Sequence, residues 1–414
     1  MSGRFDARCI VGFLLLMVGG MSRAHAECTD PSETFVTTVS RTFATGSSWS
    51  IGVYRRVCEG LTIGTAVYQP AGGVAHTVLG RATIAEVHVP YHTGKPRFLD
   101  VTESTDGLGA IALALSAAEC PNGTLFSSNA ICVRAQDGGY GWKMGNNYRV
   151  AQAIEIFMTS QIGNYTYINR WTFRDDGSIE PAVGLTGRLN EFGTGAAYLP
   201  YGVRTDPETA SPPVVALSHM HNFYYRLDFD IGGPDQDAVA RIQYAPSKTP
   251  SPDAPCTYLG QCGTTSFVRL VTETAQVFSP VGQTAWVVYD KTITNDDGRS
   301  IGYQISPTYT GLWRGMTVAG EPWAGSDLWV TLQNKCERFP ASNTAVRLAP
   351  SCPPPIRSLS FMLNDEPIDG ADVVVWYASR LQHVPRDEDE LDMPIAWTSF
   401  TIKPRNFYFQ NPAP

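Results

Sequence analysis

The chain has 414 residues and a formal net charge of −8 at pH 7. This acidic balance, together with the lack of any basic cluster, argues against nucleic acid as a partner. Beyond the N-terminus, no apolar run is long enough to cross a bilayer, so we expect no membrane span. Short β-branched and aromatic runs, broken by glycine and proline, predict a mostly β, sandwich-like fold.

The N-terminus has the layout of a cleavable secretory signal. Two arginines precede the apolar run 9–19, and Ala24-His25-Ala26 follows as a cleavage site. We therefore expect residues 1–26 to be removed and residues 27–414 to form a single domain. The expected location is secreted or periplasmic.

Eight cysteines remain after removal of the signal, an even number that suits disulfides in an oxidising compartment. Eight cysteines allow about 105 pairings, so the sequence leaves the connectivity open. Pairing by proximity along the chain gives Cys28–Cys58, Cys120–Cys132, Cys256–Cys262 and Cys336–Cys352.

The first half of the chain predicts short strands. Two of them, 49–57 and 61–69, are joined by a turn at Glu59-Gly60. Tyr91 and Asp100 follow later runs, at positions where tyrosine is ordinarily a packing residue and aspartate a turn former. Tyr165 follows Gly163 and Asn164, whose small size could leave room around a phenol, although a packed strand tyrosine fits equally.

A regular alternation runs through residues 219–233 and ends in a glycine turn, which predicts a long strand. Odd positions, which include His219 and His221, share one face, and Asp228 and Asp230 lie on the other. Imidazoles suit copper, zinc, iron or nickel, whereas paired carboxylates suit a hard cation such as calcium. The strand therefore either serves two metals or carries hydrogen-bonded core histidines and a solvated aspartate edge.

A second buried strand is predicted at 372–377. His383 follows it and is the only histidine after His221. If the His219-x-His221 strand holds a metal, His383 is its natural third ligand.

Five motifs, in one order along the chain, resemble those of the copper amine oxidases. They are Ile162-Gly163-Asn164-Tyr165, His219-x-His221, Leu227-Asp228-Phe229-Asp230, His383-Val384-Pro385-Arg386-x-Glu388-Asp389 and Lys403-Pro404-x-Asn406-Phe407. The resemblance extends from about Trp49 to the C-terminus. It implies the large antiparallel β-sandwich of that family's catalytic domain, without the small domains that usually precede it.

The resemblance also implies a catalytic set. Tyr165, preceded by Asn164, looks like the tyrosine that the family converts into the quinone cofactor topaquinone. Asp100 looks like the catalytic base, and Tyr91 looks like the tyrosine that hydrogen-bonds the quinone. The implied reaction oxidises a primary amine with dioxygen to an aldehyde, releases hydrogen peroxide and ammonium, and takes place in a homodimer.

Two metal sites follow from the same resemblance. The implied copper ligands are His219, His221 and His383. The implied calcium ligands are Asp228, the carbonyl of Phe229, Asp230, Asp372 and the carbonyl of Val373. The pair Cys120 and Cys132 resembles a disulfide of the family.

The chain departs from the family pattern at several positions. Thr166 stands where an acidic residue is usual, and Gln161 stands where threonine is usual. The segment before Asp100 is short for the family, so Glu103 and Asp106 are alternative bases. A second hypothesis is therefore a non-catalytic copper-binding relative in which the tyrosine of the motif stays unmodified.

Overall fold

A computed structural model describes residues 28–92, 96–103, 107–247, 262–308, 321–341, 352, 358–408 and 411, with the backbone alone at 245–247 and 262–264. The expected signal, residues 1–26, lies outside these ranges, as does Asp106. Across the ranges given, no helix has the length and apolar character needed to cross a membrane.

Strands dominate the described residues. The first eleven are β1 (Glu33–Thr42), β2 (Ser48–Arg56), β3 (Gly60–Gln69), β4 (His76–Pro90), β5 (Arg97–Leu99), β6 (Gly123–Phe126), β7 (Ile131–Met144), β8 (Asn147–Ile162), β9 (Tyr165–Arg174), β10 (Ile179–Gly187) and β11 (Gly193–Thr194). The others are β12 (Gly202–Arg204), β13 (Val214–Leu217), β14 (His219–Phe229), β15 (Asp237–Ser247), β16 (Cys262–Leu270), β17 (Thr274–Gln276), β18 (Ala285–Thr294), β19 (Ser300–Pro307), β20 (Leu328–Leu332), β21 (Val373–His383) and β22 (Met393–Arg405). Helices are short: α1 (Gly107–Ala110), α2 (Leu359–Met362) and the 3₁₀ turns Ala196–Tyr201, Pro322–Gly325 and Asp387–Asp389.

Two large antiparallel sheets carry most of these strands. The first has the order β1-β2-β3-β4-β14-β21-β20-β17, with β5 paired to β4. The second has the order β16-β15-β18-β19-β22-β10-β9-β8-β7-β6, and a small third sheet has the order β11-β13-β12.

The two large sheets pack face to face through aromatic side chains. Trp49 of β2 lies 5.2 Å from Phe173 of β9, and Trp171 of β9 lies 5.7 Å from Tyr225 of β14, measured between ring centroids. All four side chains are buried. Facing inner surfaces of this kind define a β-sandwich, so the predicted mostly β sandwich is confirmed.

Strand β14 lies in the middle of the first sheet, between β4 and β21, and every one of its residues is buried. Phe223 and Tyr225 belong to the core between the sheets, whereas Tyr224 packs on the other face against Trp323. The predicted alternation is therefore confirmed, with the strand ending at Phe229. Both faces are covered, which explains why polar residues on this strand need specific partners.

Three of the four expected disulfides are present in the described residues. Cys28–Cys58, Cys120–Cys132 and Cys336–Cys352 are bonded. The expected Cys256–Cys262 pair lies outside the described side chains.

Candidate metal centre and active site

Strand register brings the three predicted histidines together. His219 of β14 lies directly opposite His383 of β21, and His221 follows two residues later on the same face of β14. One ring nitrogen from each histidine lies within 4.8 Å of the others, and all three residues are buried.

Hydrogen bonds fix the protonation of two of these rings. Nδ1 of His219 donates to the carbonyl of Leu217 at 2.8 Å, which leaves Nε2 without a proton. Nε2 of His383 donates to Oδ2 of Asp389 at 3.3 Å, which leaves Nδ1 without a proton. These two unprotonated nitrogens, Nε2 of His219 and Nδ1 of His383, lie 3.3 Å apart. Their lone pairs repel unless a cation accepts both, so the arrangement fits a metal ion.

The tautomer of the third ring, His221, follows from its contact with a phenol. Nδ1 of His221 lies 3.1 Å from the hydroxyl of Tyr167, which itself donates to Oδ2 of Asp100 at 2.9 Å. Because that hydroxyl proton goes to the carboxylate, the phenol oxygen accepts from Nδ1–H of His221. Nε2 of His221 is then a free lone pair, and it has no hydrogen-bond partner among the described residues.

Burial keeps the cluster neutral. It lowers the pKa of all three histidines, to about 3 for His219, because an imidazolium ion is poorly solvated between the sheets. Three neutral imidazoles form a ligand set suited to copper, zinc, iron or nickel.

Tyr165 enters the cluster from the second sheet. It is the first residue of β9 and follows Gly163, whose φ of +56° favours glycine at this turn. Its hydroxyl lies 3.2 Å from Nε2 of His219, one of the two unprotonated ring nitrogens. Asn164 is exposed, and its side-chain amide donates to the carbonyl of Leu189 at 3.4 Å.

Tyr91 packs against the ring face of the same imidazole. Its ring stacks on that of His219, with centroids 4.3 Å apart and planes 25° apart. Its hydroxyl lies 3.5 Å from the side-chain nitrogen of Asn190. Burial raises the pKa of Tyr91 to about 12, and burial followed by the neighbouring Tyr91 phenol raises the pKa of Tyr165.

Among the proposed bases, Asp100 is the one that the structure joins to the cluster. It is buried directly after β5, and burial raises the pKa of its carboxyl to about 7. Glu103 instead pairs with Arg97 at 2.5 Å and is partly exposed. Asp106 lies outside the described residues.

A second group of acidic residues lies at the far end of β14 and β21, roughly 30 Å from the histidines by strand rise. One carboxylate oxygen from each of Asp228, Asp230 and Asp372 lies within 4.8 Å of the others. Oδ1 of Asp228 and Oδ1 of Asp372 are buried without a partner in the described part of the chain.

The charge state of this acidic group also fits a cation. Burial, followed by the neighbouring aspartates, raises the pKa of Asp230 to about 7 and that of Asp372 to about 6. Phe229 and Val373, whose carbonyls were expected as further ligands, are paired across the two strands beside the group. Oxygen ligands of this kind fit a hard divalent cation.

The profile of the copper amine oxidase enzyme domain matches residues 39–414. The chain belongs to the copper amine oxidase family. This confirms the resemblance found in the sequence, and it assigns the chain to a family that oxidises amines with copper and topaquinone.

Curated relatives agree with this assignment. The chain is 27% identical over 398 residues to histamine oxidase of Arthrobacter globiformis and 26% identical over 409 residues to primary amine oxidase of Pisum sativum. Both alignments cover 88% of this chain, but only 56% and 58% of the two relatives. The chain therefore spans less than two thirds of the length of these copper amine oxidases.

Solved structures show the same fold at low identity. Copper-containing benzylamine oxidase from Hansenula polymorpha matches with a TM-score of 0.71 and 19% identity, over 90% of this chain and 62% of that one. Lysyl oxidase of Pichia pastoris matches with a TM-score of 0.71 and 20% identity, over 88% of this chain and 52% of that one.

The two departures from the copper amine oxidase pattern lie together. Gln161 of β8 pairs with Thr166 of β9 in the sheet register. Strand alternation places the Thr166 side chain on the face opposite to Tyr165 and Tyr167. Both departures therefore lie away from the histidine cluster.

The roles of three side chains around the cluster were not predicted from the sequence. Tyr167 connects His221 with Asp100, Asp389 binds the His383 ring, and Asn190 lies beside Tyr91. Strand parity could have placed Tyr167 on the Tyr165 face, since the two are two residues apart. Asp389 is only six residues from His383, within the motif quoted above, but its role depends on how that loop turns back toward the ring. Asn190 is 99 residues from Tyr91, and no local pattern records their contact.

Proposed function

We propose that this chain is a primary-amine oxidase that uses copper and a topaquinone formed from Tyr165. The observation that carries the proposal is the contact between the Tyr165 hydroxyl and Nε2 of His219, a nitrogen that also faces the unprotonated Nδ1 of His383. A metal held there would lie against the phenol, which is what oxidation of that ring requires.

The residues present fit both groups. His219, His221 and His383 would hold copper through Nε2, Nε2 and Nδ1. Copper would supply the redox chemistry that, with dioxygen, converts the tyrosine. The quinone would supply the carbonyl and electron acceptor for turning a primary amine and water into an aldehyde and ammonium, with dioxygen reduced to hydrogen peroxide.

Asp100 is proposed as the base that takes a proton from the substrate carbon next to nitrogen. Oδ2 accepts the Tyr167 hydrogen bond, so Oδ1 is the oxygen available for that proton. A pKa raised to about 7 places the carboxyl near working pH, where a general base is most effective.

Tyr91 and Asn190 are proposed to orient the ring of residue 165. Their contact at 3.5 Å and the stacking of Tyr91 on His219 support this role. Asn164 is proposed to hold the turn that leads into the same residue, through its bond to Leu189.

We further propose a calcium ion at Asp228, Asp230 and Asp372, with the carbonyls of Phe229 and Val373. The unpartnered carboxylate oxygens of that group support it. A secreted or periplasmic location is supported by the three disulfides. A homodimer is proposed from the family resemblance.

The test uses copper-loaded protein in air with aromatic, aliphatic and polyamine substrates, and measures hydrogen peroxide and aldehyde together. Wild type should form both in equal amounts with at least one primary amine. Asp100→Asn should lower kcat roughly 10²- to 10⁴-fold, because a positioned base contributes about that much. The matched variant Glu103→Gln should stay near wild type.

Two outcomes contradict the proposal in different ways. Copper-loaded wild type that releases no peroxide with any amine would leave the non-catalytic copper-binding relative as the remaining hypothesis. Full activity of Asp100→Asn would leave the oxidase in place and remove its proposed base.

A further inference from the structure

Glu86 of β4 is a fully buried carboxylate that the proposed reaction does not use. Its relative exposure is 0%. Oε1 accepts hydrogen bonds from the backbone N–H of Val87 at 2.9 Å and of Val101 at 2.8 Å. Oε2 accepts from the backbone N–H of Thr102 at 3.2 Å and from the Thr102 hydroxyl. Three of these four donors belong to the two residues directly after Asp100.

The segment before Asp100 is fixed by the same strand. Phe98 of β5 pairs with Val89 of β4, and the N–H of Asp100 donates to the carbonyl of Val87 at 2.9 Å. The backbone of Asp100 is therefore held on one side by the sheet ladder and on the other by the Glu86 carboxylate.

A carboxyl group suits this position because three of the groups that face it are backbone N–H donors, and the fourth is a hydroxyl that can donate or accept. An ionised carboxylate offers about four acceptor sites and no proton. Burial raises the pKa of Glu86 to about 8. The N–H bonds persist in either state, since a protonated Oε2 would donate to the Thr102 hydroxyl and still accept from the Thr102 N–H. A glutamine would instead turn an N–H₂ group toward one of the N–H donors.

We propose that Glu86 is a positioning residue that holds Asp100 at the distance from the substrate carbon that proton transfer requires. The inference rests on the proposed amine oxidation, and Glu86 acts through Asp100 without touching substrate. A shift of the base by about 1 Å can cost roughly 100-fold in rate, so a clamp on its backbone affects the proton-transfer step directly.

A purely structural role predicts a different outcome, and the chain offers a matched control for it. Glu273 is also buried, and its carboxylate also accepts backbone N–H bonds, from Leu332 at 3.0 Å and from Asn364 at 2.8 Å. These partners lie outside the histidine cluster and the Asp100 segment. Glu273→Gln therefore removes the same kind of interaction without moving the base.

The experiment compares Glu86→Gln and Glu273→Gln in the full, copper-loaded chain. Glu86→Gln should keep the copper and quinone content of wild type, lower kcat roughly 10- to 100-fold with KM little changed, and increase the isotope effect of an α-deuterated amine. Glu273→Gln should change none of these quantities. Identical kinetics and isotope effects in the two variants would overturn the inference.

A second readout separates this inference from the proposed function. Hydrogen exchange of the backbone amides in residues 97–103 should be faster in Glu86→Gln than in wild type and unchanged in Glu273→Gln. An equal exchange rate in all three proteins would contradict the proposal that Glu86 holds the Asp100 backbone, even if the chain proves not to be an oxidase. Absence of quinone in wild type contradicts the proposed function alone.

If Glu86→Gln does not fold, Thr102→Val is the alternative variant for the same test. This variant keeps the size of the side chain and removes the hydroxyl bond to Oε2. The same changes in kcat, isotope effect and exchange should follow in smaller measure, and Thr102→Ser should restore wild-type values. Wild-type behaviour of a folded Thr102→Val, combined with normal exchange, counts against the clamp.

Discussion

Tyr167 donates a hydrogen bond of 2.9 Å from its hydroxyl to Oδ2 of Asp100. The same phenol oxygen lies 3.1 Å from Nδ1 of His221. One side chain of the second sheet therefore connects the proposed base with a proposed copper ligand of the first. The proposed amine site and the proposed metal site share this hydrogen-bond network.

The pKa of Asp100 sets a pH dependence for amine oxidation. The active form of the base is the carboxylate, and burial raises its pKa to about 7. We expect kcat at saturating amine to fall as the pH drops through about 7, with the slope of a single protonation. A kcat that stays constant from neutral pH down to the ordinary range of an aspartate would contradict this assignment.

Replacement of Tyr167 by phenylalanine should shift the pH at which kcat falls. The hydroxyl stabilises the charged carboxylate, so its loss raises the pKa of Asp100 further and moves the fall in kcat to higher pH by about one unit. The measurement is the pH profile of kcat with one amine for each variant. Tyr68→Phe is the control, because its buried hydroxyl also donates a hydrogen bond, to the carbonyl of Asp175 at 2.9 Å. If kcat of Tyr167→Phe falls at the same pH as kcat of wild type, the hydrogen bond from Tyr167 does not control the pKa of Asp100.

Asp389→Asn should weaken copper binding. The carboxylate of Asp389 holds Nε2–H of His383 and so keeps Nδ1 free for the metal. Loss of such a partner typically lowers metal affinity roughly 10- to 100-fold. Competition with a copper chelator of known affinity measures the change. Glu388→Gln, an equal charge change at the exposed neighbouring residue, should leave the affinity unaltered. Equal copper affinity in the two variants would contradict the role of Asp389.

Much of this fold follows from local sequence patterns. The alternation at His219 and His221 predicted one shared face on β14, and the turn at Glu59-Gly60 between two β-rich runs predicted the neighbouring strands β2 and β3. Three disulfides followed from proximity along the chain. Each of these features depends on residues close in sequence, where period and turn chemistry carry the information.

Other parts depend on how loops fold back onto the strands. No period in the sequence shows that the 3₁₀ turn at Asp387–Asp389 brings the Asp389 carboxylate to His383, or that Glu86 accepts the N–H groups of the two residues after Asp100. The preference for Asp100 over Glu103 likewise depends on burial and on the ion pair of Glu103 with Arg97. These contacts are set by loop conformation, which strand alternation does not record.

Calcium should stabilise the wild-type protein and fail to stabilise Asp372→Asn. In the metal-free protein, burial and then the negative charge of Asp228 raise the pKa of Asp372 to about 6, and a bound cation would offset both effects. A ligand at about 100 times its Kd adds about 2.7 kcal/mol to the free energy of unfolding. The measurement is the unfolding temperature with calcium and with a chelator.

Asp369→Asn is the control for this calcium test. Asp369 lies three residues earlier, and its carboxylate pairs with Lys291 at 3.1 Å, outside the cluster. This variant should keep the full calcium response. A calcium response in Asp372→Asn equal to that of wild type would contradict the proposed site.

The most direct measurement is a mass spectrum of the peptide that contains Tyr165. The protein is expressed without copper, and one half is then incubated aerobically with copper while the other half is kept metal-free. We expect Tyr165 to gain two oxygen atoms and lose two hydrogen atoms in the copper-treated half alone, while Tyr167 stays unmodified. An unmodified Tyr165 in fully copper-loaded protein would contradict the oxidase and leave a metal-binding relative.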